Sequence, residues 1–383
     1  MRLPLDGLRI LDLTQVMAGP FCTMLLADLG ADVVKIEPPG TGDISRSMGG
    51  AGMQLAGDAN APFLALNRNK RSVVLDLKSE EGRQRFHRLV ATADMVVESF
   101  QPGTVQKLGV DYDTLASIKP DLIYGSVSGF GQSGPYADRP GFDLIAQAMS
   151  GVMSVTGHAG GDPVKCGIPI SDLGAGLFCA LALLAAYIHR ERTGEGQYVE
   201  TSLFEAAVAL SVWETAELWT TGEVPQAFGS AHRLSAPYQA LRTRDGYLTV
   251  AAITEAQWKR LCEAIDRPAL AADPRFKTNA ERMVNSPALV EELEAALATG
   301  TTDEWVATLL AADVPAAPVH NYRQVFEDPH TRARAMMLEV DHPVAGLVRT
   351  LGFPFKLSAT PARIRRPPPR LGEHTEEVLG ELR

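Results

Sequence analysis

The sequence predicts an α/β protein with a mostly parallel sheet, followed by a smaller section with its own pattern. Three observations carry this reading. Over the first 130 residues, short apolar runs alternate with helical patterns, as βαβ units do. A strongly apolar helical pattern then runs from Asp172 to Arg192. From Pro237 onward a hairpin pattern and three helical patterns start afresh.

The elements follow in order. Leu8–Leu13 is a short apolar strand. Gly19-Pro20 opens a helix through Phe21–Leu29 that stops at Gly30. Ala31–Ile36 is the next strand, and Pro38–Asn69 is a long, Gly-rich connection of the kind that is functional or mobile. The β-branched run Ser72–Leu77 is a third strand, followed by a helix over Ser79–Thr92. Met95–Val97 and Leu122–Val127 supply two more strands. Right-handed crossovers would make them parallel, with ligands at their C-terminal ends. The Asp172–Arg192 pattern reads as a buried helix, too short in its apolar part to span a bilayer. Glu205–Thr221 reads as one amphipathic helix able to pack on a partner. Pro237–Val250, broken at Arg244-Asp245-Gly246, is a hairpin. Helices over Ala256–Ala264, Ser286–Ala298 and Asp303–Ala312 follow it. Pro367-Pro368-Pro369 is expected to end compact structure ahead of a short helix, Thr375–Leu382.

Composition narrows the function. The 383 residues are 45% hydrophobic and 21% charged, which suits a folded protein of two or three domains. Lys and Arg number 36 against 46 Asp and Glu, giving a net charge of −10. That balance argues against nucleic acid or an anionic membrane as partner, so a polyanionic ligand needs a local basic pocket. The N-terminus, interrupted by Asp6 and Asp12, does not read as a secretory signal. Cys22, Cys166, Cys179 and Cys262 lack CxxC spacing and read as reduced thiols of a cytoplasmic protein. No His pair with metal spacing occurs, and no metal is expected.

Three stretches could carry chemistry. Asp172 stands where the loop Ile168-Pro169-Ile170-Ser171 enters the long apolar helix. An N-cap explains an acid there. A carboxylate held ionised by the helix dipole could equally act as a covalent nucleophile. Gly174 and Gly176 would let a ligand approach the backbone closely. The second stretch, Asn67-Arg68-Asn69-Lys70-Arg71, puts three cations and two amides into five residues, a strong local basic patch in an acidic chain. It reads as a solvated loop or as a phosphate site. The third, Glu98-Ser99-Phe100-Gln101-Pro102-Gly103 with Lys107 beyond it, follows a strand, where a turn or a ligand contact is expected. A nicotinamide site is disfavoured. Glu37 ends the second strand, but the first turn, Thr14-Gln15-Val16-Met17-Ala18-Gly19-Pro20, lacks GxGxxG.

Taken together, these blocks resemble the family III CoA-transferases, which include formyl-CoA:oxalate and carnitine CoA-transferases. The resemblance runs end to end, through LRILDLTQVMAGPFCTMLLADLGADVVKIEPPGTGD, NRNKRSVVLDLKSEEG, VVESFQPGTVQKLG, LIYGSVSGFGQSGP, GFDLIAQAMSGVMSVTG, SDLGAG, TGEGQYVETSLFEAA and PVHNYRQVFEDP. It implies a Rossmann-like large domain with a parallel sheet plus a smaller α+β domain, in an interlocked homodimer. The large domain would span 1–195, a helical linker 196–225, the small domain 226–320, and a return linker with the C-terminal segment 321–383.

Carried over position by position, the resemblance makes Asp172 the nucleophile that attacks an acyl-CoA thioester. Coenzyme A, as acyl-CoA substrate, would contact Val16, Asn67, Arg68, Asn69, Lys70, Arg71, Ser99, Phe100, Gln101 and Lys107. Gln15, Met17, Phe142, His232 and Arg233 would line the substrate. Met17 stands where the formyl-CoA enzyme has an active-site glutamine, and Phe142 near one of its tyrosines. That enzyme's glycine-rich loop is replaced by Gly229-Ser230-Ala231-His232-Arg233-Leu234-Ser235-Ala236-Pro237. Formyl-CoA and oxalate are therefore disfavoured. A carboxylic acid acceptor is expected, with Arg233 and His232 as candidates for a dicarboxylate's second group and succinyl-CoA a plausible donor. The alternative on the same fold is an acyl-CoA racemase. It is disfavoured because Phe142 replaces the histidine of the proton shuttle.

Overall fold

The computed structural model describes residues 2–50, 52–57 and 59–382. Six strands form one parallel sheet: β1 (Arg9–Leu13), β2 (Asp32–Glu37), β3 (Lys70–Val74), β4 (Met95–Glu98), β5 (Ile123–Ser128) and β6 (Tyr198–Ser202). Their spatial order is β3-β2-β1-β4-β5-β6, and every neighbouring pair is parallel. This is a doubly wound order that reverses direction between β1 and β4, the place where such sheets open a ligand crevice.

The strands are apolar on both sides because helices cover both faces. Ile10, Val33 and Val97 face one core, with Cys22 and Leu26 of α1 (Ala18–Asp28). Leu11, Val34 and Val96 face the other, with Phe86, Leu89 and Val90 of α2 (Glu80–Val90). The first core also takes α4 (Ile170–Thr193), through Ala175, Cys179, Leu183 and Ala186. That helix is buried on one side only, since Leu177, Leu181 and Ile188 are exposed. Between β5 and α4 lies the short helix α3 (Asp143–Met149), and α5 (Leu203–Leu210) follows β6.

Several expected boundaries change. The segment read as a helical linker begins with β6, the sixth strand of the main sheet. Its sequence YVETS is polar and half exposed, as an edge strand is, so no apolar run announced it. The single helix over Glu205–Thr221 is two, Leu203–Leu210 and Val212–Thr221. They break at Ser211, whose hydroxyl donates to the Ala207 carbonyl at 3.2 Å. The Pro38–Asn69 connection holds a helix, Ala61–Leu66, anchored by the fully buried Phe63. The tail does not leave the fold at the prolines. Pro368 and Pro369 are buried, and Val378 completes the second core. A hairpin of Met337–His342 and Gly346–Leu351 precedes them.

The chain divides into two compact units. The larger combines the chain up to Met153, Lys165–Glu223 and everything from Pro329 onward. The smaller is Val224–Asp328 with the inserted stretch Ser154–Val164, so 154–164 departs from the large domain expected for it. The smaller unit is α+β. Its antiparallel sheet of Tyr238–Arg242, Tyr247–Ala251 and Ala316–Pro318 packs on helices around Trp258, Phe276 and Leu293. Thr254, Thr278 and Thr301 start three of its helices with capping boxes.

Candidate active site

The crevice between β1 and β4 is built on a buried charge network. The Asp12 carboxylate, on β1, accepts from Lys70 Nζ at 2.9 Å and Thr23 Oγ1 at 2.8 Å. Lys35, on β2, pairs with Asp43 at 2.8 Å and donates to the Thr14 carbonyl at 2.8 Å. Neither pair has any side-chain exposure. Burial disfavours the charge on Asp43, but Lys35 and the Ser45 hydrogen bonds outweigh it and hold the acid down at about 2. Burial pulls Lys70 down to about 8 against the attraction of Asp12.

This network carries the turn after β1. Val16 has φ +67°, a strained conformation for a β-branched residue. Its N–H donates to Asp43 Oδ1 at 3.2 Å. The Gln15 N–H donates to the Ser99 hydroxyl at 3.0 Å, tying the β1 turn to the β4 turn across the crevice. Phe100 is fixed by its own N–H, which donates to Glu98 Oε2 at 2.7 Å. Burial raises the Glu98 carboxyl to about 7. Gln15, Val16, Ser99 and Phe100 are thus brought together at the point where the strand order reverses, with Gln101 exposed beside them. Met17 is half-buried at the start of α1.

Asp172 sits in the first turn of α4, beside the start of α1. A Cβ on Gly176 would meet the Ala18 carbonyl oxygen at 2.6 Å, so the two helices touch there with nothing between. Asp172 lies about one turn earlier on α4. It is half-buried and makes no hydrogen bond among the described residues. The expectation that the helix dipole holds it ionised is corrected. Burial, and then the like charge of Asp143, raise it to about 7. The α4 N-terminus is capped from elsewhere: Asp143 Oδ1 accepts from the Ser171 N–H at 3.0 Å. Asp143 Oδ2 accepts from Gln147 Nε2 at 2.7 Å, and Gln147 Oε1 accepts from the Cys166 N–H at 2.8 Å. Asp143 was legible only as part of the GFD block. Its spacing to Asp172 gives no signal, because the contact is tertiary. Phe142, just before it, is exposed.

The basic cluster is the main correction. The backbone of Lys70 and Arg71 opens β3, level with Val33 and Val34 near the start of β2, and the Lys70 side chain reaches Asp12 and the Pro20 carbonyl inside the protein rather than a ligand. All five residues are buried and engaged within the protein. Arg68 pairs with Asp28 at 2.7 Å, and Asn69 donates to the same acid at 2.8 Å. Arg71 reaches Asp32, Glu377 and Glu381. Asn67 donates to the Phe63 carbonyl and accepts from Lys70. The cluster reads as a loop in sequence because charge runs are usually solvated; here each cation is itself buried and paired, Arg68 and Lys70 with buried acids and Arg71 with partly exposed ones. Exposed cations on the ligand side include Lys107, beyond β4, and Lys78, beyond β3, a residue the sequence reading passed over. His232 and Arg233 belong to the smaller unit. The His232 ring stacks on Tyr238 at 4.7 Å, and Arg233 donates to the Gln226 carbonyl at 2.6 Å.

The doubly wound sheet, with the strained first turn at its switch point and a carboxyl raised by burial at the start of α4, places the chain among the α/β proteins that bind a ligand at the switch point. The chain belongs to CoA-transferase family III, whose family model matches residues 5–375. It is 44% identical to the succinyl-CoA:mesaconate CoA-transferase of Haloarcula hispanica, across 98% of this chain and 96% of that one. It is 39% identical to the succinate–glutarate CoA-transferase of Agrobacterium fabrum, across 99% of this chain and 96% of that one. A CAIB/BAIF family protein from Brucella suis has the same fold, with a TM-score of 0.91 and 37% identity over all of both chains. The protein is thus a CoA-transferase acting on CoA thioesters.

Removing one half of a buried ion pair leaves the other charge unpaired and costs about 3–5 kcal/mol. Lys70→Met is expected to lose about that much stability in urea unfolding, because Asp12 loses its partner. Lys107→Ala should leave the unfolding midpoint in place and raise KM for acyl-CoA. A Lys70→Met protein as stable as wild type would refute this division of roles.

Proposed function

We propose that the protein carries CoA from succinyl-CoA to a second carboxylic acid, through a covalent intermediate on Asp172. One observation carries the reading: Asp172 is a half-buried carboxylate without a hydrogen-bond donor among the described residues, raised to about 7. A carboxylate stabilised by donors is a poor nucleophile; this one is not so stabilised. The donor and acceptor class rests on relatives that use succinyl-CoA with mesaconate or glutarate. Lys78 and Lys107 suit the CoA phosphates. The Gln15–Met17 and Ser99–Gln101 turns suit the pantetheine arm, because they meet at the switch point of the sheet and Met17 leads into α1, which touches α4 at Gly176.

The reaction then runs in balanced steps. An Asp172 oxygen attacks the thioester carbonyl, the C–S bond breaks, and CoA leaves as thiolate. The mixed anhydride is attacked by that thiolate at the Asp172 carbonyl. The donor leaves as its carboxylate, and an aspartyl-CoA thioester remains. The acceptor carboxylate attacks this thioester, again expelling thiolate and forming an anhydride. Thiolate attack at the acceptor's carbonyl yields acceptor-CoA and restores Asp172. One thioester is lost and one gained, so the protein need supply only position and environment.

The reading extends to the assembly and the compartment. Leu177, Leu181 and Ile188 on α4, with Val212, Trp213 and Trp219 beyond it, form exposed apolar surface, Trp219 at 81%. Apolar surface of that kind suits a second copy of the chain. Sedimentation should give the mass of two chains, and a single-chain mass at micromolar concentration would end this part of the proposal. The four free cysteines, three of them buried, suit the cytoplasm.

Mixing enzyme with succinyl-CoA and no acceptor should add a CoA-sized mass to the peptide holding Asp172. Hydroxylamine should convert that adduct to a hydroxamate. Asp172→Ala should show no adduct and lose several orders of magnitude in turnover. An adduct on Cys166, or none during active exchange, would refute the mechanism.

Activity should also follow the ionisation of Asp172. The carboxylate is the active form and burial raises it to about 7, so kcat/KM should fall as pH drops below about 7. Asp143→Asn keeps an acceptor for the Ser171 N–H but removes the like charge. Its pH profile should therefore shift to lower pH. A profile that stays in place would mean that Asp143 acts only as a cap.

A further inference from the structure

We infer that Arg139 is a specificity residue that receives the distal carboxylate of the acid being transferred; this rests on the CoA-transferase reading above. The segment after β5 leaves the C-terminal edge of the sheet and returns to it. Its base is pinched shut, since a Cβ on Gly129 would lie 2.6 Å from the Cα of Gly141. Gly141 leads directly into Phe142 and Asp143, so the loop stands beside the carboxylate pair of the active site.

Within this loop the Arg139 guanidinium lies over the Tyr136 ring, 3.7 Å from its centroid. Tyr136 meets Phe130 edge-on at 6.0 Å, and Phe130 meets Phe204 of α5 at 6.1 Å. The Phe204 N–H donates to the Gly129 carbonyl at 3.1 Å. A ladder of aromatic rings therefore roots the guanidinium on the sheet and α5, while the loop backbone is otherwise exposed. Stacking covers a face of the guanidinium and leaves its N–H edge available for a planar anion.

Charge pairing distinguishes Arg139 from the cations built into the fold. Arg9, Arg46, Arg68, Arg71 and Arg190 of the same unit each pair with a carboxylate. Arg139 has no carboxylate partner among the described residues, in a chain with 46 acids to 36 bases. A cation held rigidly but left unpaired suits an anion supplied by the substrate. Position selects which anion. Lys78 and Lys107 follow β3 and β4, whereas Arg139 follows β5 and lies four residues from Asp143. Four residues span at most about 14 Å of chain. The group placed there is therefore the far end of the acyl chain, and a fork of N–H donors matches a carboxylate in two hydrogen bonds.

The test compares formation of the aspartyl adduct from succinyl-CoA and from butyryl-CoA, which differ only at the distal group. Wild type should prefer succinyl-CoA. Arg139→Gln should erase about 10- to 100-fold of that preference, the worth of a hydrogen-bonded charge pair, and Arg139→Lys should restore part of it. An equal loss on both donors would overturn the inference, since a structural role predicts it. A loss that disappears with the 3′-dephospho form of succinyl-CoA would also overturn it, by assigning Arg139 to the phosphate. Wild type forming no adduct from any donor would instead bring down the CoA-transfer mechanism on which the inference rests.

Discussion

Four charges without access to water, Asp12, Lys70, Lys35 and Asp43, hold up the site. Burying ions is expensive, and attraction repays it only when the geometry is tight and the spare hydrogen-bonding positions are filled. Here they are filled by the structure that needs support. Lys35 holds the Thr14 carbonyl, Asp43 holds the Val16 N–H, and Lys70 holds the Pro20 carbonyl at 3.0 Å. The network reaches the strained turn after β1, the start of α1 and the first residue of β3 at once. It fixes a backbone conformation that Val16 would not adopt alone. The N-terminal ends of α1 and α4 meet beside this turn, where Gly176 rests on Ala18.

Much of the fold was legible in the sequence, and the failures share a cause. β1, β2, β4 and β5 are buried on both faces, so each appears as a mostly apolar run, though Asp12 interrupts β1 and Lys35 interrupts β2. β6 is an edge strand with alternating polar residues, and nothing in YVETS separates it from a loop. β3 was placed two residues late, because Lys70 and Arg71 at its start look like the end of a basic loop. Their counter-ions, Asp12, Asp32, Glu377 and Glu381, are dispersed over the whole chain. A one-dimensional pattern shows charge but not its partner. The same limit hid Asp143 and the return of the tail, which closes the sheet through Val378. Asp172 was legible because its signal is local: an acid at the mouth of a long apolar helix, followed by two glycines.

The site also shows which electrostatic effect wins at a helix N-terminus. The dipole favours a carboxylate there by about 1 kcal/mol or less at an exposed position. Desolvation and a second carboxylate act in the opposite direction and are each capable of more. Asp143 tips the balance further, because it takes the Ser171 N–H that would otherwise be free to help Asp172. The helix end is satisfied by one acid, and its neighbour is left with the cost of burial.

That arrangement suits the role proposed for Asp172, in which the carboxylate attacks a thioester and is later attacked itself. Nucleophilic strength rises with basicity, while the ionised fraction at a given pH falls with it. A carboxyl near its ordinary value would be fully ionised at neutral pH but weakly basic. One raised to about 7 is half ionised at that pH and considerably more basic. It sits close to the compromise between the two demands. Once acylated, the same side chain is neutral, so the burial that disfavours the free carboxylate no longer opposes it. On the proposed mechanism the environment would therefore favour the covalent state relative to the free acid anion, through packing and the placement of Asp143.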